Sequence, residues 1–372
     1  MYLPILPQTP GLPGFWIPPP DPEKPDCPYR VGFQVEIKQH TPPLPFGGRS
    51  YGPGAWRQRR DVDLYSATQT EVVMSYPPLE RESGVPSPIG STATLTITET
   101  LAVGDGRGAQ VVVCSVAPEP HRRPFVAVAK IFDALYYSFV SRVGGAVPCN
   151  TARSADVDYS REAAALDHLR MARRKGLSLT APEFFGSWTF SLPITHAGKN
   201  LLRPVRLVLM EHIEGPNMLA VCRDPDVLSI YSEEDRVEIL ARVLEEYMRQ
   251  RYAGVDQRDL AARNVVLRPD PSSSLLSASS KKPLPQPVLI DYADSVVFEL
   301  SRFGKLHSQD EELPQNPMEF FWKTNFDGFI GWMPSRWNRS YRQRQKWLKE
   351  RFGGEKVSHY APVVENLKFS DD

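Results

Sequence analysis

Three short runs rich in β-branched and other apolar residues, separated by turns, most constrain the fold of this chain. They are TATLTITETLAV (92–103), VVVCSV (111–116) and FVAVAKIF (125–132). β-Branched residues favour strands, and short connections favour antiparallel pairing of neighbouring strands. We therefore predict an antiparallel meander. A glycine-rich turn, GDGRGAQ, joins its first two strands and contains Gly104, Gly106 and Gly108.

Two charged residues stand in apolar surroundings. Lys130 interrupts the third apolar run, and a buried ammonium group is costly unless an anion lies close to it. A helix is predicted over 159–171, with Glu162 on the same face as Leu166 and Leu169. Taken singly, Lys130 is explained as a snorkelling strand lysine and Glu162 as a boundary residue. Together they predict a buried ion pair.

The loop GVDQRDLAARN (254–264) is the strongest candidate site. It follows a predicted helix that Ser232 caps, and it precedes a short strand, VVL (265–267). Asp259 and Asn264 lie in this loop, and Asp291 ends an apolar strand in PVLIDYADSVV (287–297). An amide beside a carboxylate offers the oxygen ligands that Mg²⁺ prefers, and a second carboxylate can accept a proton from an attacking hydroxyl. Taken singly, a capping Asp and a turn Asn are ordinary local features.

In this order, these features resemble the eukaryotic protein-kinase fold over about residues 91–300. The loop QRDLAARN is similar to the H-R-D-L-x-x-x-N catalytic loop. The runs AKIFDALYYSF, DYSREAAALDHL, PEFFGSWTF and LIDYADS also resemble a poorly characterised fungal family of kinase-like proteins with a shortened C-lobe. The resemblance implies an α+β, bilobal protein-kinase-like fold. It would have an antiparallel N-lobe sheet with one helix and a mostly helical, truncated C-lobe.

The resemblance also implies a nucleotide-binding role for residues of the first half of the match. Lys130 would bind the α- and β-phosphates of ATP and would be oriented by Glu162. The glycine turn would let the backbone close over the phosphates through Gly104, Gly106 and Gly108. A hinge that contacts the adenine would include Met210, Glu211 and Ile213.

The second half of the match carries the catalytic roles that the resemblance implies. Asp259 would orient and deprotonate the acceptor hydroxyl, and Arg263 would assist the acceptor or a phosphate. Asn264 and Asp291 would bind Mg²⁺. We therefore predict ATP and Mg²⁺ as cofactors and transfer of the γ-phosphoryl group to an unknown protein or small-molecule acceptor.

Several positions depart from the family pattern. The third glycine of the turn is one residue early, and Gln257 replaces a histidine, which weakens a packing and hydrogen-bonding role. In place of D-F-G the chain has Asp291, Tyr292 and Ala293, and no A-P-E motif follows. These departures favour an alternative, a pseudokinase that binds nucleotide or acts as an interaction scaffold. A Rossmann-type role for GDGRG is disfavoured, because that motif requires a strand–helix junction.

Proline distribution guides the domain prediction, since half of the 36 prolines lie in the first 90 residues. We predict a partly disordered Pro-rich arm over 1–90, with a strand near Val31–Lys38. An N-lobe and hinge would cover 91–213 and a shortened C-lobe 214–372. The Ser- and Pro-rich insert at 269–287 is predicted to be a solvated loop.

Composition limits the remaining alternatives. The formal net charge is zero, so nucleic acid is not an expected partner, although the basic stretch Arg336–Arg351 leaves an anionic partner open. The four cysteines form no C-x-x-C pair, the N-terminus does not resemble a secretory signal, and no apolar run is long enough for a membrane helix. We expect a cytoplasmic or nuclear protein that does not enter the membrane. The oligomeric state is not predicted.

Overall fold

The computed structural model describes residues 16–58, 62–81, 91–119, 123–141, 147–270, 283–302, 304, 312–364 and 366–370. The predicted loop at 269–287 lies mostly outside these residues. The strands, in chain order, are β1 (Gln34–Gln39), β2 (Thr92–Ala102), β3 (Gln110–Pro118), β4 (Phe125–Phe132), β5 (Val140–Ser141), β6 (Val147–Pro148), β7 (Phe184–His196), β8 (Lys199–Met210), β9 (Val255–Asp256), β10 (Val265–Arg268), β11 (Gln286–Leu289) and β12 (Val296–Val297).

Eight α-helices are found among the described residues. In chain order they are α1 (Gly48–Tyr51), α2 (Gln69–Ser75), α3 (Thr151–Arg174), α4 (Met218–Arg223), α5 (Pro225–Ser229), α6 (Glu233–Tyr252), α7 (Pro317–Phe321) and α8 (Tyr341–Phe352). The fold is therefore a mixed α and β fold, with an antiparallel sheet and helices as predicted.

Six strands form a closed barrel in the order β1-β2-β3-β4-β8-β7. The meander β2-β3-β4 has the predicted antiparallel pairing, and β4 has the predicted bounds. The sequence analysis predicted an antiparallel sheet but not its closure into a barrel. The strand expected near Val31–Lys38 is β1, which pairs with β2 on one side and with β7 on the other. A segment of the predicted Pro-rich arm therefore closes the barrel.

α3 begins eight residues before the predicted start. Its first two turns contain Asp156, which is buried and accepts hydrogen bonds from the Trp56 indole N–H at 3.2 Å and the Leu79 backbone N–H at 3.0 Å. A buried carboxylate interrupts the apolar periodicity on which the prediction depended. The start of this helix is thus set by contacts with residues distant in sequence.

α6 begins as the sequence predicts. The Ser232 hydroxyl accepts the Asp235 N–H at 3.1 Å, and the Asp235 carboxylate accepts the Ser232 N–H at 3.3 Å, which completes a capping box. One face of the helix is buried through Leu240, Val243, Leu244, Tyr247 and Met248.

The predicted strand at 287–297 is interrupted. β11 ends at Leu289, Asp291 has a φ of 64°, and the chain resumes as the two-residue strand β12. An extended strand cannot pass through a residue with positive φ, so Asp291 lies beyond the strand end.

The chain divides into two compact units, each considered by itself. Unit 1 comprises Met1–Pro43, Ala55–Tyr159 and Ser187–Leu209, and it contains most of the barrel. Unit 2 comprises Leu44–Gly54, Ser160–Gly186 and Met210–Asp372. Its small sheets are β10–β11 and β9–β12.

The basic C-terminal stretch folds in part as α8, which Ser340 caps through the Gln343 N–H. Trp337 and Leu348 are buried, whereas Tyr341 is exposed. All four cysteines are free thiols. Within the described residues, no helix has the length and apolar character needed to cross a membrane.

Candidate functional site

The loop that follows α6 and β9 turns sharply through a residue in the left-handed region. Arg258 has a φ of 65°, a conformation that is uncommon for residues other than glycine and is concentrated at functional sites. A short 3₁₀ turn over Ala262–Asn264 then leads directly into β10. Residues 257–264 therefore form a compact connection between two short strands.

Gln257 joins this loop to the residues that follow β11. Its buried Nε2 donates to the carbonyl oxygens of Ile290 and Asp291, both at 3.0 Å, and its Oε1 accepts the Asp259 N–H at 3.1 Å. Gln257 therefore makes three hydrogen bonds at the position where the sequence analysis expected a weakened hydrogen-bonding role. The Gln257 side chain fixes both the loop that contains Asp259 and the residues that follow β11. Its polar type is the sequence signal that could have indicated this role.

Both oxygens of the Asp259 carboxylate accept hydrogen bonds. Asn264 Nδ2 donates to Asp259 Oδ2 at 2.8 Å and to the Asp259 carbonyl oxygen at 2.9 Å, while the Arg263 guanidinium binds Oδ1. The Asp259 side chain remains 34% exposed. Each carboxylate oxygen has a further lone pair, so this carboxylate can accept a hydroxyl proton while its orientation is fixed.

The β10–β11 pairing brings the backbones of Asn264 and Asp291 together. Val265 lies opposite Leu289, and the Ile290 N–H donates to the Asn264 carbonyl oxygen at 2.9 Å. Asp291 is the next residue. Asn264 Nδ2 donates to Asp259, so the other polar atom of the amide is Oδ1, an oxygen that can act as a metal ligand.

Glu162 contributes a second contact to this region from α3. Its side chain is buried, as are Leu166 and Leu169 on the same face, and its Oε2 accepts the backbone N–H of Tyr292 at 2.9 Å. The Tyr292 hydroxyl donates to Gln250 Oε1 at 3.0 Å, and burial raises the pKa of this tyrosine well above its ordinary value. Glu162 therefore orients the residue that follows Asp291.

Lys130 belongs to unit 1, on strand β4. Its side chain is buried, with the ammonium 5.9 Å from the centre of the Phe132 ring. The ion pair between Lys130 and Glu162 joins residues assigned to different units and stays a prediction.

The glycine turn lies between β2 and β3, also in unit 1. The buried Gln110 fixes it, because Oε1 accepts the Gly104 N–H at 2.7 Å and Nε2 donates to the carbonyl oxygens of Gly104 and Gly108 at 3.0 and 3.3 Å. Gly106 has a φ of 70°, which favours glycine, and a Cβ at Gly106 or Gly108 would meet no atom within 4 Å. The sequence analysis did not assign this role to Gln110.

The predicted hinge residues begin with Met210, the last residue of β8, and continue beyond the end of that strand. Met210 and Ile213 are buried. The Glu211 N–H donates to the Glu183 carbonyl oxygen at 2.8 Å, and the Glu211 carboxylate binds Arg268 at 2.8 Å.

Asn264 and Asp291 offer oxygen ligands, the type that Mg²⁺ prefers. Among the described residues, no group of three or more His, Cys, Asp or Glu side chains could hold a metal ion. Zinc needs three or four such ligands. Mg²⁺ is usually bound through one or two carboxylates, with substrate phosphates and water completing its shell. An amide oxygen and a carboxylate on neighbouring backbone segments fit that pattern.

Comparisons with known proteins add little. No family model matches the chain, and no curated protein does, so the resemblance to a fungal kinase-like family stays a prediction. Among solved structures, the chain is similar to vaccinia related kinase 3, with a TM-score of 0.31 and 11% sequence identity. The match covers 55% of this chain and spans about half, 49%, of that kinase. A TM-score this low carries no argument about function.

Proposed function

We propose that this protein is an ATP-dependent phosphotransferase with a bilobal, protein-kinase-like fold. The observation that carries the proposal is the arrangement at the ends of β10 and β11. There, Asp259 is oriented by Arg263 and Asn264, and the Asn264 backbone lies beside that of Asp291. This set of oxygen and guanidinium groups suits phosphoryl transfer, in which catalysis depends on positioning and charge neutralisation.

Each residue has a distinct task in the proposed reaction. Asp259 accepts the proton of the acceptor hydroxyl, whose oxygen then attacks the γ-phosphorus while the bond to ADP breaks. Arg263 and Asn264 fix the direction of that carboxylate. Asn264 Oδ1 and the Asp291 carboxylate would bind Mg²⁺, which supplies positive charge against the phosphates.

The remaining predicted residues act on the nucleotide. Lys130 binds the α- and β-phosphates, with Glu162 as its proposed partner. The backbone of the glycine turn, fixed by Gln110, covers the phosphates at Gly104, Gly106 and Gly108. The hinge, Met210 to Ile213, contacts the adenine. The acceptor is a protein or small molecule with a hydroxyl group, and the proposed location is the cytoplasm or nucleus.

Replacement of Asp259 tests this proposal directly. Asp259→Asn keeps the size of the side chain and removes its ability to accept a proton. We expect ATP turnover, measured as release of ADP, to fall by at least about 100-fold while ATP affinity is unchanged. Asp226→Asn, an exposed acid in α5, is the matched control. Unchanged turnover would contradict the assignment, and lost ATP affinity would indicate a structural role for Asp259.

The alternative is a nucleotide-binding scaffold without catalysis. It is favoured by one observation, that both Asp259 oxygens already accept hydrogen bonds within the loop, as a purely structural carboxylate would. A wild-type protein that binds ATP in the presence of Mg²⁺ but releases no ADP would support this second function.

A further inference from the structure

A surface pocket in unit 2 lies among arginine side chains. Its volume is about 380 Å³, and its lining includes Arg49, Arg161 and Arg258, with Asp294 as an acidic residue. Three positive charges and one negative charge leave an excess of two positive charges around the cavity. We call this cavity the arginine pocket.

One side of the arginine pocket is a chain segment from the N-terminal part of the sequence. Arg161 Nε donates to the Phe46 carbonyl oxygen at 3.0 Å, and the Arg302 N–H donates to the Ser50 carbonyl oxygen at 2.9 Å. Tyr51 Oη accepts the Val297 N–H at 2.6 Å. Residues 44–54 are thus fixed to unit 2 by hydrogen bonds at several points.

The hydroxyl group of Ser50 contacts the basic lining directly. Arg258 Nη1 donates to Ser50 Oγ at 3.2 Å, and Ser50 itself lines the pocket. The Arg302 guanidinium also lies against this segment, at Gly52, where φ is 80° and a Cβ would clash with it. A phosphate group attached to this hydroxyl would accept charge-assisted hydrogen bonds from the arginines, which are stronger than their bond to the neutral hydroxyl.

Charge and size select the class of anion. A carboxylate has one negative charge, whereas a phosphate group carries about −1.5 to −2 at neutral pH and offers three strong acceptor oxygens. The larger charge matches the excess of two in the lining. The cavity, at about 380 Å³, is larger than a phosphate group.

We propose that the arginine pocket binds a phosphate group, either one attached to Ser50 or one from a small phosphorylated molecule. For Ser50, an ATP-dependent protein kinase supplies the group. Ser50 Oγ forms a bond to the γ-phosphorus, the phosphorus–oxygen bond to ADP breaks, and the hydroxyl proton passes to a base. The bound phosphate would add to the contacts that already hold residues 44–54 against the rest of unit 2. This proposal does not require the chain itself to transfer phosphate.

Thermal denaturation of the full chain tests the proposal in two arms. In the first arm, phosphoserine is incorporated at position 50 and compared with unmodified protein. In the second arm, unmodified protein is measured in potassium phosphate and in potassium chloride of equal ionic strength. Each arm is repeated with Arg258→Gln and with the control Arg153→Gln, an exposed arginine at the start of α3. The control separates specific binding from the general stabilising effect of phosphate salts.

The two arms distinguish the sources of the phosphate. If Ser50 is the source, phosphoserine raises the melting temperature by roughly 2 °C or more, and Arg258→Gln removes the rise. If the source is a small molecule, the arginine-dependent rise occurs in the second arm alone. A rise in neither arm, or one that persists in Arg258→Gln, would overturn the proposal. Should Arg258→Gln fail to fold, the exposed Arg49→Gln replaces it.

Discussion

The glycine turn and the loop at 257–264 are fixed in the same way but offer different chemistry. In each, a fully buried glutamine makes three hydrogen bonds to backbone groups, Gln110 in the turn and Gln257 in the loop. At the turn, a Cβ at Gly106 or Gly108 would meet no described atom within 4 Å, so there is open space beside the backbone. At the loop, polar side chains are bonded to one another through Asp259, Arg263 and Asn264.

The proposed function assigns a different task to each region. A rigid turn with open glycines suits contact with the phosphates of a nucleotide, whereas a preorganised carboxylate suits an acceptor hydroxyl. Substitutions in unit 1 should therefore affect first the binding of ATP. Changes at the loop should act on the transfer step.

The largest expected effect on ATP turnover comes from replacing Lys130, which lies on β4 in the same unit as the glycine turn. Lys130→Met retains an apolar side chain of similar length in β4, so the barrel should fold, but the proposed phosphate contact is lost. We expect ATP turnover to fall by about 100-fold or more. The exposed Lys38→Met in β1 is the matched control. Wild-type turnover in Lys130→Met would remove Lys130 from the site.

Replacing each glutamine by methionine compares the two regions directly. Gln257→Met and Gln110→Met both leave backbone groups without a partner, and each should lower the free energy of unfolding by about 1–3 kcal/mol in urea denaturation. Their kinetic effects should differ. We expect Gln257→Met to lower kcat for ATP turnover and Gln110→Met to raise KM for ATP. Equal effects of the two replacements on both constants would contradict the division of tasks.

A smaller effect is expected from acidification, through a cluster in the barrel unit. His40 Nδ1 lies 2.6 Å from the Tyr159 hydroxyl and its Nε2 lies 3.0 Å from Glu80, which also binds Arg206. Burial lowers the pKa of His40, although Glu80 acts in the opposite direction. The hydrogen bond with His40, together with Arg206, lowers the pKa of Glu80 to about 2.

Both groups have a lower pKa in the folded chain than in the unfolded chain, so stability is lost as pH falls. The loss should begin below about 6.5 for His40 and continue below about 4.5 for Glu80. Because the Glu80 side chain is 69% exposed, its share should be small. Urea denaturation at pH 7.5 and 5.5 should show a smaller loss in His40→Gln than in wild type. His359→Gln, at an exposed site, is the control, and an equal loss in wild type and His40→Gln would contradict this assignment.

The sequence predicted features that depend on neighbouring residues. The bounds of β4 follow from one apolar run, and the start of α6 follows from Ser232 and Asp235. Closure of the barrel was not predicted, because β1 lies more than 50 residues before β2 and its pairing depends on distant partners. The start of α3 was missed because it includes the buried Asp156, whose partners are distant in sequence. The break after β11 was missed because it depends on the positive φ of Asp291.

The candidate site could be predicted as residue types but not as geometry. Asp259 and Asn264 are only five residues apart in one loop, so a hydrogen bond between them is within reach of a local sequence motif. The roles of Gln257 and Gln110 depend on which backbone groups the fold leaves to be satisfied. A single sequence does not specify those groups.

Calorimetric titration of ATP into the wild-type protein, with Mg²⁺ and with EDTA, tests the proposed magnesium–nucleotide site most directly. The same titrations on Asp291→Asn, with Asp226→Asn as control, identify the ligand. We predict that ATP binds in the presence of Mg²⁺, and that removal of Mg²⁺ or the Asp291→Asn change weakens binding by about tenfold or more. No binding at millimolar ATP, or equal binding with and without Mg²⁺, would contradict a site built on Asp259, Asn264 and Asp291.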